Sequence, residues 1–309
     1  MARVAAPMAC WLAIGLTGFS GAQPAYFHDD CWLRIHSGYA VTSYTGANPA
    51  PAQLQEEMRV LAAEYDIPLE IMGGIVQQES SAYQYGSDGF VVHNLFECRN
   101  IFSGVYSTNS APPGLGLMQL TGATARAYPL PPLIEDWRNN LRQGVDVLHG
   151  KYVRFYRDYP ASLKNLMIAN RHILENWYYG TLGYNGFIAG STYPNSVYSR
   201  VLSPSSRISG LFRPVNIPRP ANVIPGWQVT STTSYTFYAV TPDGVWHTPT
   251  ADHSGTIHFA APYRSSAQML TYLLGQQPTP SLLRQVDYNR DGRFNAADLV
   301  AAINYENGV

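Results

Sequence analysis

A run of prolines between residues 204 and 226 divides this chain into two parts with different sequence patterns. Proline lacks a backbone N–H and its ring clashes with the preceding turn, so a helix cannot continue through such a run. The prolines are Pro204, Pro214, Pro218, Pro220 and Pro225. Apolar residues recur at helical spacing before the run, whereas short stretches rich in β-branched and aromatic residues follow it. We predict a mainly α domain (α+β), then a small antiparallel β segment and a helical tail.

The helical part begins with two helices and a long loop. Apolar residues between 52 and 65 fall on one helical face, and Pro68 is suited to the start of a second helix that reaches Glu79. Residues 80–113 are rich in Ser, Gly, Asn and Pro, which predicts a loop. Further helices are predicted over 119–128, 137–157 and 161–177.

The first residues have the features of a secretory signal peptide. Arg3 precedes an apolar run that ends near Phe19, and Ser20, Gly21 and Ala22 are small residues of the kind a signal peptidase reads. We predict a signal peptide over 1–22 and a secreted, periplasmic or cell-envelope protein. No later stretch approaches the ~20 apolar residues that a transmembrane helix needs, so we expect no transmembrane anchor.

Cys31 and Cys98 remain after the predicted signal peptide, and an isolated pair in an oxidising compartment most simply forms a disulfide. The alternative is a nucleophilic or metal-binding cysteine, which the absence of a nearby Cys or suitably spaced His disfavours. Cys31 would anchor an irregular lead-in over 23–50.

The charge balance bears on possible partners. Lys and Arg number 20 against 21 Asp and Glu, giving a formal net charge of −1. A nucleic-acid-binding domain usually carries a basic patch, so we expect no nucleic-acid partner.

Glu79 is the candidate catalytic residue. It follows Met72 by seven residues and Ile75 by four, which places it on the apolar face at the C-terminal end of the predicted helix. Burial and the negative end of the helix dipole should both raise its pKa, as a general acid for a glycosidic oxygen requires. The structural alternative is a Glu that hydrogen-bonds into the following loop.

Three segments then occur in the order of the motifs of the soluble lytic transglycosylase family. They are Glu79-Ser80, the run Gly114-Leu-Gly-Leu-Met-Gln-Leu-Thr121, and Gly183-Tyr-Asn-Gly186. The chain resembles that family over roughly residues 54–203. The resemblance implies a lysozyme-like α domain, here 51–203, with a groove for peptidoglycan. Such a domain cleaves the β-1,4 bond between N-acetylmuramic acid and N-acetylglucosamine and gives 1,6-anhydromuramoyl products.

The resemblance also implies roles for individual residues. Glu79 would protonate the leaving oxygen and then deprotonate the 6-hydroxyl of the sugar. Met118 would lie on the groove wall and Tyr184 would hydrogen-bond Glu79. The substrate-binding residues implied in this way are Ser80, Met118, Gln119, Tyr184 and Asn185.

Two alternatives to this function remain open. A hydrolase usually needs two carboxyl groups that flank the bond, and Asp88 and Glu97 in the long loop are candidates for the second. The chain would then be a lysozyme-type hydrolase of peptidoglycan or of a chitin-like glycan. The other alternative is a non-catalytic protein that binds a glycan or docks a partner in a calcium-dependent manner.

The predicted tail, 265–309, contains a match to the twelve-residue calcium-binding loop. Oxygen-bearing side chains stand at positions 1, 3, 5, 9 and 12, position 7 offers its backbone carbonyl, and glycine occupies position 6. The predicted ligands are Asp287, Asn289, Asp291, Arg293, Asn295 and Asp298. The segment resembles one repeat of a type I dockerin. It predicts a bound Ca²⁺, either as a structural ion or in a module that docks a protein partner.

Between the predicted linker 204–226 and this tail, residues 227–264 form the predicted β segment. Its strands are predicted in WQVTSTTSYTFYAV, VWHT and TIHFAA. Three histidines there lack metal-ligand spacing and are predicted to lie at the surface: His247, His253 and His258.

Overall fold

The computed structural model describes residues 46–87, 89, 91–92, 114–155, 159–231, 235–275, 278–289 and 291–307. The predicted signal peptide, the pair Cys31 and Cys98, and the loop acids Asp88 and Glu97 lie outside these residues. The described part is mainly helical and contains a three-stranded antiparallel sheet. The prediction of a mainly helical chain with a small antiparallel β segment is confirmed at that level.

The helices before the proline run include the predicted ones, which differ near residues 119 and 170, and three further helices over 130–135, 178–184 and 193–202 that we did not predict. They are α1 Pro51–Tyr65, α2 Leu69–Ser80, α3 Gly122–Arg126, α4 Leu130–Glu135, α5 Trp137–Phe155, α6 Ala161–Ala169, α7 Tyr178–Tyr184 and α8 Tyr193–Leu202. The helix predicted over 161–177 is wrong in its second half. Asn170 ends α6 by donating its side-chain amide to Leu166 O at 2.8 Å, and a 3₁₀ turn follows at Leu174–Trp177.

The later elements are a 3₁₀ turn Pro220–Asn222, β1 Ala239–Val240, β2 Val245–His247, β3 Asp252–Ser254, α9 Ser266–Gly275, α10 Pro280–Val286 and α11 Ala296–Asn307. The strands pair in the order β1-β2-β3, with Val240 opposite Trp246 and Trp246 opposite His253. None of the described helices combines the length and the apolarity that a membrane span requires.

Helix α2 lies at the centre of the molecule and is buried on nearly every side. Close packing against α8 is possible because residue 74 is glycine. A Cβ on Gly74 would lie 2.8 Å from Val197 Cγ1 and 2.9 Å from Val197 O, so any side chain would push α8 away. The close approach also places Tyr193, the first residue of α8, beside the C-terminal end of α2.

The proline-rich segment is packed onto the body of the protein and is not a free linker. Its apolar side chains belong to the same core as the helices: Ile208, Leu211, Phe212, Val215, Ile217 and Ile224. Tyr238, Val240 and Trp246 of the β segment also lie in that core. A sheet this small is not stable alone, and the shared core stabilises it.

The strand predicted in TIHFAA is wrong. The third strand is Asp252–Ser254. The TIHFAA segment instead lies beside the residues that connect α6 and α7. His258 O accepts a hydrogen bond from Leu174 N at 2.9 Å, and Phe259 forms an isolated bridge with Ile173. The prediction of a surface His258 is also corrected, because its Nδ1 lies 2.7 Å from Oε1 of the buried Glu175.

The C-terminal helices are tied to α2 through Glu70, which is fully buried. Glu70 Oε1 accepts hydrogen bonds from Ala261 N at 2.8 Å and from the hydroxyl of Tyr305, on α11, at 2.7 Å. Burial raises the pKa of Glu70 to about 7, although the hydrogen bond from Tyr305 acts in the opposite direction. We therefore expect the contact between the body and the tail to depend on pH.

We predict that Glu70→Gln changes the pH dependence of folding. A carboxyl whose pKa is higher in the folded state binds its proton more tightly there, so its contribution to stability is greatest at low pH. That contribution falls between about pH 4.5 and 7, by roughly 3 kcal/mol if the shift is fully expressed. Urea denaturation of Glu70→Gln at pH 5 and pH 7 should show a smaller pH difference than wild type. Glu57→Gln, at a partly exposed site 3.5 Å from Arg138, should keep the wild-type pH difference.

Candidate active site

Glu79 is partly buried and stands at the end of α2. The chain leaves the helix at once, because Ser81 and Ala82 both have left-handed backbone conformations, with φ of 56° and 68°. The hydroxyl of Tyr193 donates a hydrogen bond to Glu79 Oε1. Glu79 therefore sits at a sharp helix end, with one carboxyl oxygen held by the first residue of α8.

Tyr184, which we predicted to hydrogen-bond Glu79, directs its hydroxyl elsewhere. It donates to Met118 O at 2.6 Å, so its single proton is not available to Glu79. Tyr193 occupies the role that we assigned to Tyr184. Sequence reasoning missed Tyr193 because it lies outside all three motifs, and its only signal is its position at the start of an amphipathic segment.

A row of tyrosines extends from Glu79. Burial, followed by the nearby charge of Glu79, raises the pKa of Tyr193 and of Tyr184 well above the ordinary value. Both phenols therefore stay protonated near neutral pH. Tyr128 is next to Tyr184 and donates to Asp146 Oδ2 at 2.8 Å, and burial and this carboxylate raise the pKa of Tyr128 to about 12.

The run Gly114–Thr121 folds into a tight loop that two buried amide side chains hold. Leu115 and Leu120 close the loop through an antiparallel bridge. Gln84 Oε1 accepts from Leu117 N at 2.9 Å, and Asn140 Oδ1 accepts from Met118 N at 2.9 Å. Asn140 Nδ2 donates to the carbonyl oxygens of Leu115 and Leu133, both at 2.9 Å.

Gly116 is the second glycine of this run, and its conformation and surroundings explain why glycine stands there. Its φ is +70°, a conformation that residues with a side chain rarely adopt. A Cβ at this position would lie 2.3 Å from Gln84 Oε1 and 2.5 Å from Asn140 Nδ2, so it would displace both amides. Sequence reasoning missed Gln84 and Asn140. Asn140 lies between the core residues Trp137 and Gly144 of α5, and this polar residue on an apolar face was the available signal.

Two of the predicted substrate-binding residues face the interior. Ser80 is 9% exposed, and its hydroxyl lies 2.9 Å from Leu117 O and 3.2 Å from Val76 O. Met118 is fully buried, and a Cβ on Gly144 would lie 2.3 Å from its side chain. Both residues fix the loop against the helices, and neither offers its side chain to a groove.

Gln119 and Asn185 stand closer to the surface. Gln119 is partly exposed, has a φ of +47°, and donates its side-chain amide to Gly116 O at 2.9 Å and to Val92 O at 3.2 Å. Asn185 is exposed and ends α7. Among the hydrogen-bonding groups of the three motifs, the side-chain oxygens of Gln119 and Asn185 are suited to a polar ligand.

We predict that Asn140→Leu destabilises the protein by about 2–4 kcal/mol, because it removes the side-chain partner of the buried backbone groups of Leu115 and Met118 and one of two hydrogen bonds to Leu133 O. Urea denaturation measures this free energy of unfolding. Asn139→Leu is the matched control on the same helix, at a partly exposed position, and should change stability by less than about 0.5 kcal/mol. Equal effects of the two substitutions would contradict the role of Asn140.

The carboxylates that we predicted in the loop 287–298 accept hydrogen bonds from the backbone and amide N–H groups of the loop itself. Asp298 is fully buried, and its two oxygens accept from Asn289 N and Asn295 N, both at 3.0 Å. Asp291 Oδ2 lies 3.2 Å from Asn289 Nδ2 and 3.3 Å from Asn295 Nδ2. Asp287 Oδ2 accepts from Gly292 N at 2.9 Å.

These contacts fit a calcium loop in the chemistry of the donors, since carboxylate and amide oxygens are the ligands that Ca²⁺ prefers. The ring of side chains and backbone amides holds the loop in shape. Arg293 is exposed, so its contribution is limited to the backbone carbonyl that we predicted. Among the described residues, no group of three or more His, Cys, Asp or Glu side chains lies close enough together to hold a metal ion by itself.

The chain was compared with protein-family models, with curated proteins and with solved structures. None of the three comparisons found a match. The contacts around Glu79 and the resemblance of the three motifs are therefore the basis for a function.

Proposed function

We propose that this protein is an exported lytic transglycosylase of peptidoglycan with Glu79 as its catalytic acid and base. The observation that carries the proposal is the connection of the three motifs. Ser80 bonds to Leu117 O at 2.9 Å, and Tyr184 bonds to Met118 O at 2.6 Å. Segments that are far apart in sequence thus meet near the carboxyl group of Glu79, at the end of α2.

The proposed chemistry needs one carboxyl group. Glu79 donates its proton to the glycosidic oxygen, and the bond between this oxygen and C1 of the muramic acid residue breaks. The Glu79 carboxylate then takes the proton of the 6-hydroxyl of the same sugar, whose oxygen forms a bond with C1. The product is a 1,6-anhydro ring, the acid is regenerated, and no water is consumed.

Several residues of this protein support the proposed chemical steps. The hydrogen bond from Tyr193 orients the carboxyl group of Glu79. Tyr193 and Tyr184 lie near Glu79, and tyrosine rings bind sugars through stacking and hydrogen bonds. The buried amides of Gln84 and Asn140 fix the loop that would bind the glycan beside the carboxyl group of Glu79.

We predict that Glu79→Gln abolishes cleavage of purified peptidoglycan and retains binding to it. The wild type should release muropeptides that are lighter by one water than the corresponding hydrolysis products, as measured by mass spectrometry. Tyr193→Phe should lower kcat by about 10- to 100-fold, because the carboxyl loses its orienting donor. Glu57→Gln, at a partly exposed site, should have wild-type activity.

Other outcomes favour the alternatives. Reducing ends without anhydro products would identify a lysozyme-type hydrolase, and the same assay with a chitin oligosaccharide would test for a chitin-like substrate. Binding of peptidoglycan by the wild type without any cleavage would identify a non-catalytic glycan-binding protein.

We also propose that residues 287–298 bind one Ca²⁺. The side chains of Asp287, Asn289, Asp291, Asn295 and Asp298 and the backbone carbonyl of Arg293 would hold it. The ion would neutralise the carboxylates of this loop and stabilise the junction between α10 and α11. We favour a structural role for the ion, because α11, which begins in this loop, also carries the contact of Tyr305 with Glu70. A protein partner for the tail is the alternative that a pull-down with and without chelator tests.

We predict that 10 mM CaCl₂ raises the midpoint of thermal unfolding by about 3–8 °C relative to EGTA, for a site with millimolar to submillimolar affinity. Mg²⁺ at the same concentration should have a smaller effect, because it prefers a rigid octahedral site. Asp291→Ala should remove the Ca²⁺ effect. An unchanged midpoint with Ca²⁺ in the wild type would contradict the proposal.

A further inference from the structure

A cavity lies at the opposite end of α2 from Glu79. Its volume is about 830 Å³, and it is bounded by the chain after α6, the proline-rich segment, residues 257–259 and α11. Tyr305 lines the cavity and bonds to Glu70, nine residues before Glu79. At 1.5 Å per residue, Glu70 and Glu79 are separated by roughly 13 Å along the helix. None of the residues of the Glu79 cluster lines this cavity.

Arg213 is the one formally charged residue among the described residues that line the cavity. Arg213 has a buried Nε–H with no hydrogen-bond partner, and its guanidinium lies 4.9 Å from the centre of the Tyr305 ring. No carboxylate within the described ranges forms an ion pair with Arg213. His172 and His258 also line the cavity, and none of the described lining residues is acidic. The Arg213 guanidinium is partly exposed and acts on the buried Glu70 through its charge, but its Nε–H has no partner among the described residues and can donate to an anion in the cavity.

An aromatic ring stands beside these cationic and polar groups. Phe259 is 38% exposed and stacks on His172, with ring centroids 5.5 Å apart and an angle of 10° between the planes. Val215 and Ile257 extend the apolar surface. Phe259 and His172 are fixed by backbone hydrogen bonds, because Ala260 N donates to His172 O at 2.7 Å. The cavity thus has an apolar floor next to a fixed cation, and its volume is typical of small-ligand sites.

We propose that this cavity binds a small ligand that bears a carboxylate, with Arg213 as the anchor for the carboxylate and Phe259 as the surface for its ring or methyl groups. A guanidinium matches a carboxylate because it offers parallel N–H donors. The source of this ligand rests on the proposed function, because peptidoglycan supplies such a group in two forms: the lactyl ether of N-acetylmuramic acid and the C-terminus of a stem peptide. The site itself is independent of the chemistry at Glu79.

Isothermal titration calorimetry on the full chain tests this proposal with three probes. N-acetylmuramic acid and D-alanyl-D-alanine each carry a carboxylate, whereas N-acetylglucosamine has the sugar ring without it. At least one of the two carboxylates should bind with a Kd of roughly 1 mM or below, and N-acetylglucosamine should not bind. The carboxylate that binds identifies the source of the ligand.

Variants locate the binding. Arg213→Met keeps an apolar stem over Tyr305 and should weaken binding by about 10- to 100-fold, while Arg213→Lys should restore part of it. Arg154→Met, at an exposed position of α5, is the matched control and should bind like the wild type. Circular dichroism and the thermal midpoint of each variant report whether it is folded.

Three results would overturn the proposal. They are the absence of binding by both carboxylates, equal binding of N-acetylglucosamine, and unchanged binding in a folded Arg213→Met. Binding that Glu79→Gln removes and Arg213→Met retains would place the ligand in the other site. Cleavage of peptidoglycan by a wild type that binds neither carboxylate would contradict this site alone and leave the proposed activity intact.

Discussion

The burial of α2 is the constraint on which the other contacts depend. A helix that is buried on nearly all sides must meet its neighbours at short range, and Gly74 makes this possible by letting the backbone of Val197 approach. The same contact sets the position of Tyr193, four residues before Val197. The packing of these two helices thus brings the Tyr193 hydroxyl to the carboxyl group of Glu79.

The loop around Met118 is likewise held by contacts within the protein, here hydrogen bonds to its buried polar groups. Its backbone groups are bound to two buried amides, Gln84 and Asn140, and a buried amide is tolerated only when its donors and acceptors are paired. Motif residues that resemble substrate contacts, Ser80 and Met118, serve this framework instead. The proposed groove is therefore formed by tyrosine rings, Gln119 and Asn185 on a rigid support.

Some of this arrangement could be predicted from the sequence, and some could not. Periodicity predicts α2 and places Glu79 at its end, because both depend on local spacing. Tyr193 and Asn140 contact their partners only in the folded chain, and no local pattern encodes those contacts. The proline run was interpreted as a linker, but Phe212 and Val215 within it are buried because the core of the helices extends across them. His258 was assigned to the surface because sequence gives no sign of its buried partner, Glu175.

The central claim is that Glu79 transfers a proton between two oxygens of the same glycan without consuming water. Digestion of peptidoglycan in H₂¹⁸O tests this most directly, because the oxygen that ends on C1 of the muramic acid residue reveals its source. The account predicts products without ¹⁸O, since O6 of the sugar supplies that oxygen. Products that carry one ¹⁸O at C1 would contradict it and would show that water is the nucleophile.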